Sequence, residues 1–236
     1  MRVLPLPQAH IVDLETIPVR LLNDALHQQS VLPAIDRWRI VKPMGRHAIA
    51  CGLDAGIDVE IDGHVGYYCA GMNKRATVRI TGNAGVGLAE NMMSGVVSVR
   101  GDASQSAGAS GRGGMLIVGG NASARCGISM KGIDIVVGRN VGHMSAFMAQ
   151  AGNLVVLGDA GEALGDSIYE ARIFVRGSVK SLGADCIEKP MTPQHCSALG
   201  ELLERSGYGD VDPAGFRRYG SARHLYHFHV ENAGAY

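Results

Sequence analysis

The sequence predicts an all-β fold, a right-handed parallel β-helix of about seven coils of 19 residues each. One position recurs every 19 residues without insertion or deletion, and it is occupied by Gly63, Gly82, Gly101, Gly120, Arg139, Gly158 and Gly177. Two residues before each of these stands a β-branched residue, namely Ile61, Ile80, Val99, Val118, Val137, Val156 and Val175. A fixed period of this kind indicates stacked units that bury their apolar faces only against one another.

The period also selects among repeat architectures. Identical steps send every strand in the same direction, which argues against an antiparallel meander with short hairpin turns. A left-handed hexapeptide helix needs a multiple of six residues, and the calcium-binding form needs Gly-Gly-x-Gly-x-Asp repeats, which are absent. The right-handed β-helix is therefore expected over residues 54–189, between an N-terminal cap at 1–53 and a C-terminal helix and tail at 190–236.

The predicted N-terminal cap contains one helix and one strand. Residues 17–29 carry apolar side chains at helical spacing, with Pro18 near the start: Leu21, Leu22, Ala25 and Leu26. Residues 38–41 then alternate as a strand does. Such a small α/β unit would shield the first coil, whose strand edge and apolar face need cover.

Each coil is predicted to begin with a strand and to turn at the column glycine. The next residue is mostly short and polar, and such residues tolerate turns and bond to local backbone: His64, Asn83, Asp102, Asn121, Asn140, Asp159 and Ser178. Six residues further on stands a column of small residues, which predicts a second bend: Ala70, Ala89, Gly108, Gly127, Ala146, Gly165 and Ala184.

Arg139 breaks the glycine column. If the position requires a positive φ, a residue with a side chain is strained there by about 1 kcal/mol or more. Two interpretations remain open, a local turn variant and a functional arginine that projects from a corner. Arg139 is therefore a candidate interface residue.

The C-terminal segment is predicted to hold a helix and a partner-binding tail. Thr192-Pro193 begins a helix that carries Leu199, Leu202 and Leu203 and ends at Gly207, and we expect it to close the second end of the coils. The tail is rich in tyrosine, phenylalanine and arginine, which anchor protein interfaces. Its candidate interface residues are Tyr208, Phe216, Arg217, Arg218, Tyr219, Arg223, Tyr226 and Phe228. The alternative is that the tail folds back along the coils and packs its aromatics there.

Composition limits the class of function. Lys and Arg together number 22, as do Asp and Glu, so no net positive field favours nucleic acid or anionic lipid. No signal peptide or spanning segment is evident, and five cysteines without a Cys-x-x-Cys pair fit a reducing compartment. We expect a cytoplasmic protein, with Cys69 and Cys126 as small core residues.

No local motif predicts chemistry. The glycine clusters belong to the repeat, because they lack both the strand-to-helix context of a dinucleotide site and a Walker lysine. His224, His227 and His229 have no acidic or cysteine partner at metal-ligand spacing. We expect no catalytic, cofactor-binding or metal-binding residue in this chain. A β-helix hydrolase or lyase is the enzyme-class alternative, and it would need converging carboxylates.

Residues 54–189 resemble the glycine-repeat (GXGXG) β-helix domain at the C-terminal end of glutamate synthase large chains. They are also similar to the β-helix chain of formylmethanofuran dehydrogenase. The most specific resemblance is to the stand-alone form, the second of the chains that make up N-methylglutamate synthase. It rests on LGDSIYEA at 164–171, SLGADC at 181–186 and RYGSARHLY at 218–226.

The resemblance implies a glutamate synthase divided among separate chains. One partner would be a class II glutamine-amidotransferase-like subunit, and the other an FMN-binding subunit with an iron–sulfur cluster. That family's complex makes N-methylglutamate and ammonia from glutamate and methylamine, and its β-helix domain carries no known catalytic residue. The alternative partners, those of a formylmethanofuran-type complex, would carry molybdenum or tungsten and zinc.

Overall fold

Eleven strands of the chain form one sheet, wound as a β-solenoid of about seven turns, which confirms the predicted β-helix. The computed structural model describes residues 9–224. The strands lie in the order β1 to β9, then β11, then β10. Their bounds are β1 His10–Asp13, β2 Arg37–Val41, β3 Asp58–Asp62, β4 Thr77–Ile80, β5 Val96–Val99, β6 Met115–Val118, β7 Lys131–Val137, β8 Ala151–Val156, β9 Arg172–Val175, β10 Cys186–Lys189 and β11 Arg217–Ser221.

The 19-residue period is the register of the parallel strands. Val59 pairs with Val78, which pairs with Val97, and the parallel pairs from β3 to β9 keep this step. The exception is Lys131, which pairs with Ala151 at a step of 20 because the register shifts between Lys131 and Asp134 of β7. The inward residues of these strands are buried in a continuous core along the solenoid. Cys69 and Cys126 are completely buried in that core, as predicted.

The N-terminal segment contributes a second strand that the sequence did not reveal. β1 pairs in parallel with β2 and forms one edge of the sheet. The helix α1, Val19–Gln28, packs its buried Leu22 and Leu26 on the core. The side chain of Asn23 donates to Ala48 O at 2.8 Å and accepts from Ala50 N at 2.9 Å, which fastens α1 to the first turn.

The column of small residues marks a left-handed backbone position. Ala70, Ala89 and Ala146 have φ of 54°, 55° and 58°, and Gly108, Gly127 and Gly165 lie between 66° and 69°. A Cβ added to Gly108 would come within 2.6 Å of Ile135 Cδ1. Small residues are needed here because the position is buried and the core leaves little room, whereas the left-handed backbone itself is also adopted by Tyr68 and Met72. The predicted second bend is confirmed.

The glycine column has a different cause from the one expected. Of its members only Gly63 has a positive φ, and Arg139 does not, so the expected strain at Arg139 is wrong. A Cβ on Gly101 would instead lie 2.0 Å from Asn83 Oδ1, and one on Gly120 would lie 2.3 Å from Asp102 Oδ1. The column is glycine because it faces the polar side chains of the preceding coil.

Those polar side chains form a ladder along the solenoid. Asn83 Oδ1 accepts from Asp102 N at 2.9 Å, and Asp102 Oδ1 accepts from Asn121 N at 2.7 Å. The same bond recurs at the next three coils. The sequence predicted that these polar side chains bond to nearby backbone of their own turn. They bond instead to the backbone of the following coil, because stacking brings the N–H groups of that coil within reach. The rung beside Arg139, from Asn140 N to Asn121 Oδ1, is the longest at 3.2 Å.

The C-terminal helix α2, Pro193–Arg205, forms where predicted, with Thr192 as N-cap in a capping box. It does not close the end of the coils, which corrects the prediction. Leu199, Leu202 and Leu203 pack on the outer side of the sheet, against a cluster that includes Val136, Val155 and Phe174. The edge of β9, the last of the parallel strands, is covered instead by β11, which pairs antiparallel with β9 on one side and with β10 on the other.

No helix within residues 9–224 is long and apolar enough to cross a membrane.

Candidate partner-binding surfaces

The predicted interface residues separate into buried and exposed groups. Phe216 and Tyr219 are 3% and 2% exposed. Phe216 belongs to the cluster under α2, and Tyr219 faces the solenoid core from β11 opposite Ile173. These two aromatics therefore follow the alternative given for the tail, in which it folds back along the coils and packs its aromatic side chains against the rest of the chain. Neither lies on a surface that a partner reaches in this structure.

Tyr208 also has a role within the chain. It is partly buried against the cluster under α2, and its hydroxyl would lie 2.3 Å from a Cβ placed on Gly138. Burial raises the pKa of the Tyr208 hydroxyl. The phenol thus lies over Gly138, beside Arg139. Arg139 itself is exposed, and no carboxylate in the described part of the chain lies within 4.0 Å of its guanidinium.

The three predicted tail arginines lie at the C-terminal end of the sheet. Arg217 is exposed and donates to Gly177 O at 2.7 Å. Arg218 is partly buried and donates to Pro190 O at 3.1 Å, and Arg223 is paired with Glu170 at 2.9 Å. Tyr226 and Phe228 lie outside the described residues, as do His227 and His229.

A surface that the sequence did not single out lies near the N-terminal end of the solenoid. Its apolar members are Tyr67 and Tyr68, both 50% exposed, and Met72, 54% exposed. We call these three residues and the neighbouring His47 the aromatic face. Tyr67 stacks on His47 with ring centroids 4.5 Å apart, and Tyr67 N donates to His47 Nδ1 at 2.9 Å.

The aromatic face is held in place by the coil backbone. A Cβ on Gly87 would lie 2.9 Å from Tyr68 Cδ1 and 2.8 Å from Glu90 Oε2, so the Tyr68 ring and the Glu90 carboxylate meet over this glycine. Met72 N donates to Glu90 O at 2.7 Å. Partial burial raises the pKa of Glu90. The rings are thus fixed in position while half of their surface stays exposed.

Four methionines fall at nearly the same place in different coils, and an exposed stripe of them would be a docking surface, but they do not form one. Met92 and Met130 are completely buried, Met148 is partly buried, and Met72 is exposed. Met72 is therefore part of a local patch rather than a stripe along the solenoid. The sequence did contain a signal for this patch, since aromatic residues stand at positions that are polar elsewhere in the repeat. Tyr67 and Tyr68 correspond to Gln105 and Ser106 two coils later.

Burial disfavours the reactive thiolate form at several of the described cysteines. Burial raises the pKa of the Cys126 and Cys186 thiols to about 12 and also raises that of Cys51. Within residues 9–224, no group of three or more His, Cys, Asp or Glu side chains is arranged to hold a metal ion.

Comparison with known proteins found a relative that matches nearly the whole chain. No family model matches the chain. The chain is similar to Protein GlxC of Rhizobium meliloti (strain 1021), with 60% identity over 226 residues. The match covers 96% of this chain and 99% of the relative, so it spans nearly the whole of both proteins.

Proposed function

Because the chain belongs to the family of Protein GlxC, we propose that it is a structural subunit of a glutamate synthase-related complex. Its partners in this proposal are a class II amidotransferase-like subunit and an FMN-containing subunit with an iron–sulfur cluster. The complex would be N-methylglutamate synthase, converting glutamate and methylamine into N-methylglutamate and ammonia. The chain itself would supply no catalytic or cofactor-binding residue.

The observation that carries the proposal is the aromatic face. Tyr67, Tyr68 and Met72 expose about half of their surface each, although Tyr67 stacks on His47 and the Tyr68 ring lies over Gly87. Tyrosine and methionine are enriched at protein interfaces, and a rigid ring loses little conformational entropy on binding. A partner that covered this face would bury apolar area and leave the tyrosine hydroxyls free for polar contacts.

The proposal is tested by removing the aromatic face. We expect the double variant Tyr67→Ser with Met72→Ser to fold and to bind its partner subunits at least tenfold more weakly, since interface anchors contribute about 2 kcal/mol or more each. The matched control is Gln105→Ser, which changes an exposed residue in the column of Tyr67 two coils away. The measurement is the affinity of the purified chain for each partner subunit.

The two outcomes are distinct. Weaker binding by the double variant, with unchanged binding by Gln105→Ser, supports the aromatic face as an interface. Equal binding by the double variant and the natural chain contradicts it. Copurification of a molybdenum or tungsten protein instead of a flavoprotein would replace this proposal with the formylmethanofuran-type complex.

A further inference from the structure

A pocket of about 330 Å³ opens at the C-terminal end of the sheet, where β9, β10 and β11 lie side by side. Four cationic side chains line it, those of Arg172, Lys189, Arg218 and Arg223. Glu170 is the one acidic residue in its wall, and it is already paired with Arg223 at 2.9 Å. The pocket therefore carries an excess of positive charge, although the chain as a whole is neutral.

Strand pairing forces three of these cations together. Lys189 of β10 lies directly opposite Arg218 of β11, and on the other side Arg218 lies opposite Phe174 of β9. Arg172 is two residues before Phe174, so it is on the same face of the sheet. Like charges directly opposite each other in neighbouring strands destabilise a sheet.

Nothing in the described part of the chain neutralises this group. Among residues 9–224, no carboxylate lies within 4.0 Å of the charged nitrogens of Arg172, Lys189 or Arg218. Burial and the charge of Arg172 lower the pKa of Arg218. Burial, followed by the charges of Arg218 and Arg172, lowers the pKa of His195 in the first turn of α2. The positive field thus extends from the pocket to the start of the helix.

We propose that this pocket binds a small oxyanion with two negative charges, a phosphate group or a dicarboxylate. Guanidinium groups match the oxygens of both groups in geometry, and a half-buried cation gains more from such a bond than an exposed one does. The ligand would also relieve the repulsion between Arg172, Arg218 and Lys189. The volume is at the lower end of that of small-molecule sites. The inference is independent of partner binding.

The test is calorimetric titration of the full-length chain with inorganic phosphate and, separately, with glutarate, at low ionic strength. We expect saturable binding of at least one of them, and the tighter one identifies the ligand class. Lys189→Gln should weaken this binding about tenfold or more, the loss of one charge-assisted hydrogen bond. The matched control is Arg100→Gln, an exposed arginine on another coil, which should leave binding unchanged.

A second measurement separates ligand binding from folding. Without added anion, Lys189→Gln should have a Tm equal to or above that of the natural chain, because the substitution removes a positive charge from the position opposite Arg218. The anion should raise the Tm of the natural chain more than that of the variant. The proposal is overturned if neither anion binds saturably, or if Lys189→Gln and Arg100→Gln weaken binding equally.

Discussion

At each corner of the solenoid, a glycine in one coil leaves room for a side-chain oxygen of the coil before it. That oxygen accepts the N–H of the residue after the glycine, as Asn83 Oδ1 does from Asp102 N. The sequence shows the glycine column and the polar column but does not show that they touch. The contact forms only when the coils stack, because it joins residues that are 18 or 19 positions apart in the chain. Arg139 shows the consequence of adding a Cβ, since the neighbouring rung from Asn140 N to Asn121 Oδ1 lengthens to 3.2 Å.

The first prediction at this scale concerns Gly101→Ala. The new Cβ would lie 2.0 Å from Asn83 Oδ1, so that side chain must move and its bond to Asp102 N weakens, as the equivalent bond beside Arg139 does. We expect a loss of about 2 to 4 kcal/mol in the free energy of unfolding, from overpacking and one hydrogen bond. Denaturant unfolding measures this.

The control for that variant is Gly56→Ala. A Cβ there meets nothing within 4 Å, so the change should stay within about 0.5 kcal/mol of the natural chain. Equal losses in the free energy of unfolding for the two substitutions would show that the glycine column is not needed for the hydrogen-bond ladder.

The second residue-scale prediction concerns acid stability. Hydrogen bonds from Ser178 N and Ser178 Oγ lower the pKa of Asp159 from its usual value of 3.8. A lowered folded-state pKa contributes stability above the unfolded pKa, and that contribution is lost as the pH falls through the folded value. In Asp159→Asn the amide oxygen still accepts from Ser178 N but does not titrate. We expect its Tm to fall less than that of the natural chain below pH 3.8.

The comparison is made by recording Tm against pH for both proteins. Parallel Tm curves across the acid range would be evidence that Asp159 does not contribute in its charged form.

At the scale of elements, the sequence predicted the strands of the coils and the helix α2, but it placed α2 wrongly at the end of the coils. The signal for its true position was present in the column that faces outward. This column is polar in the early coils, with Glu60, Arg79 and Ser98, and becomes apolar at Ile117, Val136, Val155 and Phe174. An outward face that turns apolar needs a cover, and α2 provides it.

The insertion of β11 could not be read from the sequence. This strand pairs antiparallel with β9 and β10, so it lies outside the 19-residue repeat. Its arginines and tyrosine would be equally suitable for a protein interface. Only the burial of Tyr219 decides that this strand belongs to the fold. The tail thus closes the exposed edge of β9, a common site of unwanted strand pairing.

The prediction for this element is that Tyr219→Ala loosens the end of the sheet. Removing a side chain that is 2% exposed should cost about 3 kcal/mol of the free energy of unfolding, because a cavity remains beside Ile173. Denaturant unfolding gives the energy, and light scattering reports strand-edge association.

Tyr67→Ala is the matched control, since the same substitution there removes a side chain that is 50% exposed. Its cost should stay below about 1 kcal/mol. Similar stability losses at the two positions would contradict the assignment of β11 to the core.

At the scale of the whole molecule, the described part of the chain is a stack of coils whose sheet has β1 and β10 as its edge strands. Its described surface offers two distinct features, the aromatic face near the N-terminal end and the cationic pocket at the other. In the proposed complex the solenoid would set the distance between the amidotransferase-like and flavin-containing partners. The 19-residue repeat reports how the coils stack and contains no information about partner subunits. The sequence alone therefore could not locate the interface.

The central claim is that this chain works as a subunit, and native mass spectrometry of the tagged chain from its own cells tests it most directly. The account predicts a complex heavier than the 24.8 kDa of this chain by the masses of an amidotransferase-like and a flavin-containing subunit. Removal of the aromatic face should release the chain from at least one of them. A single species of 24.8 kDa under these conditions would contradict the account.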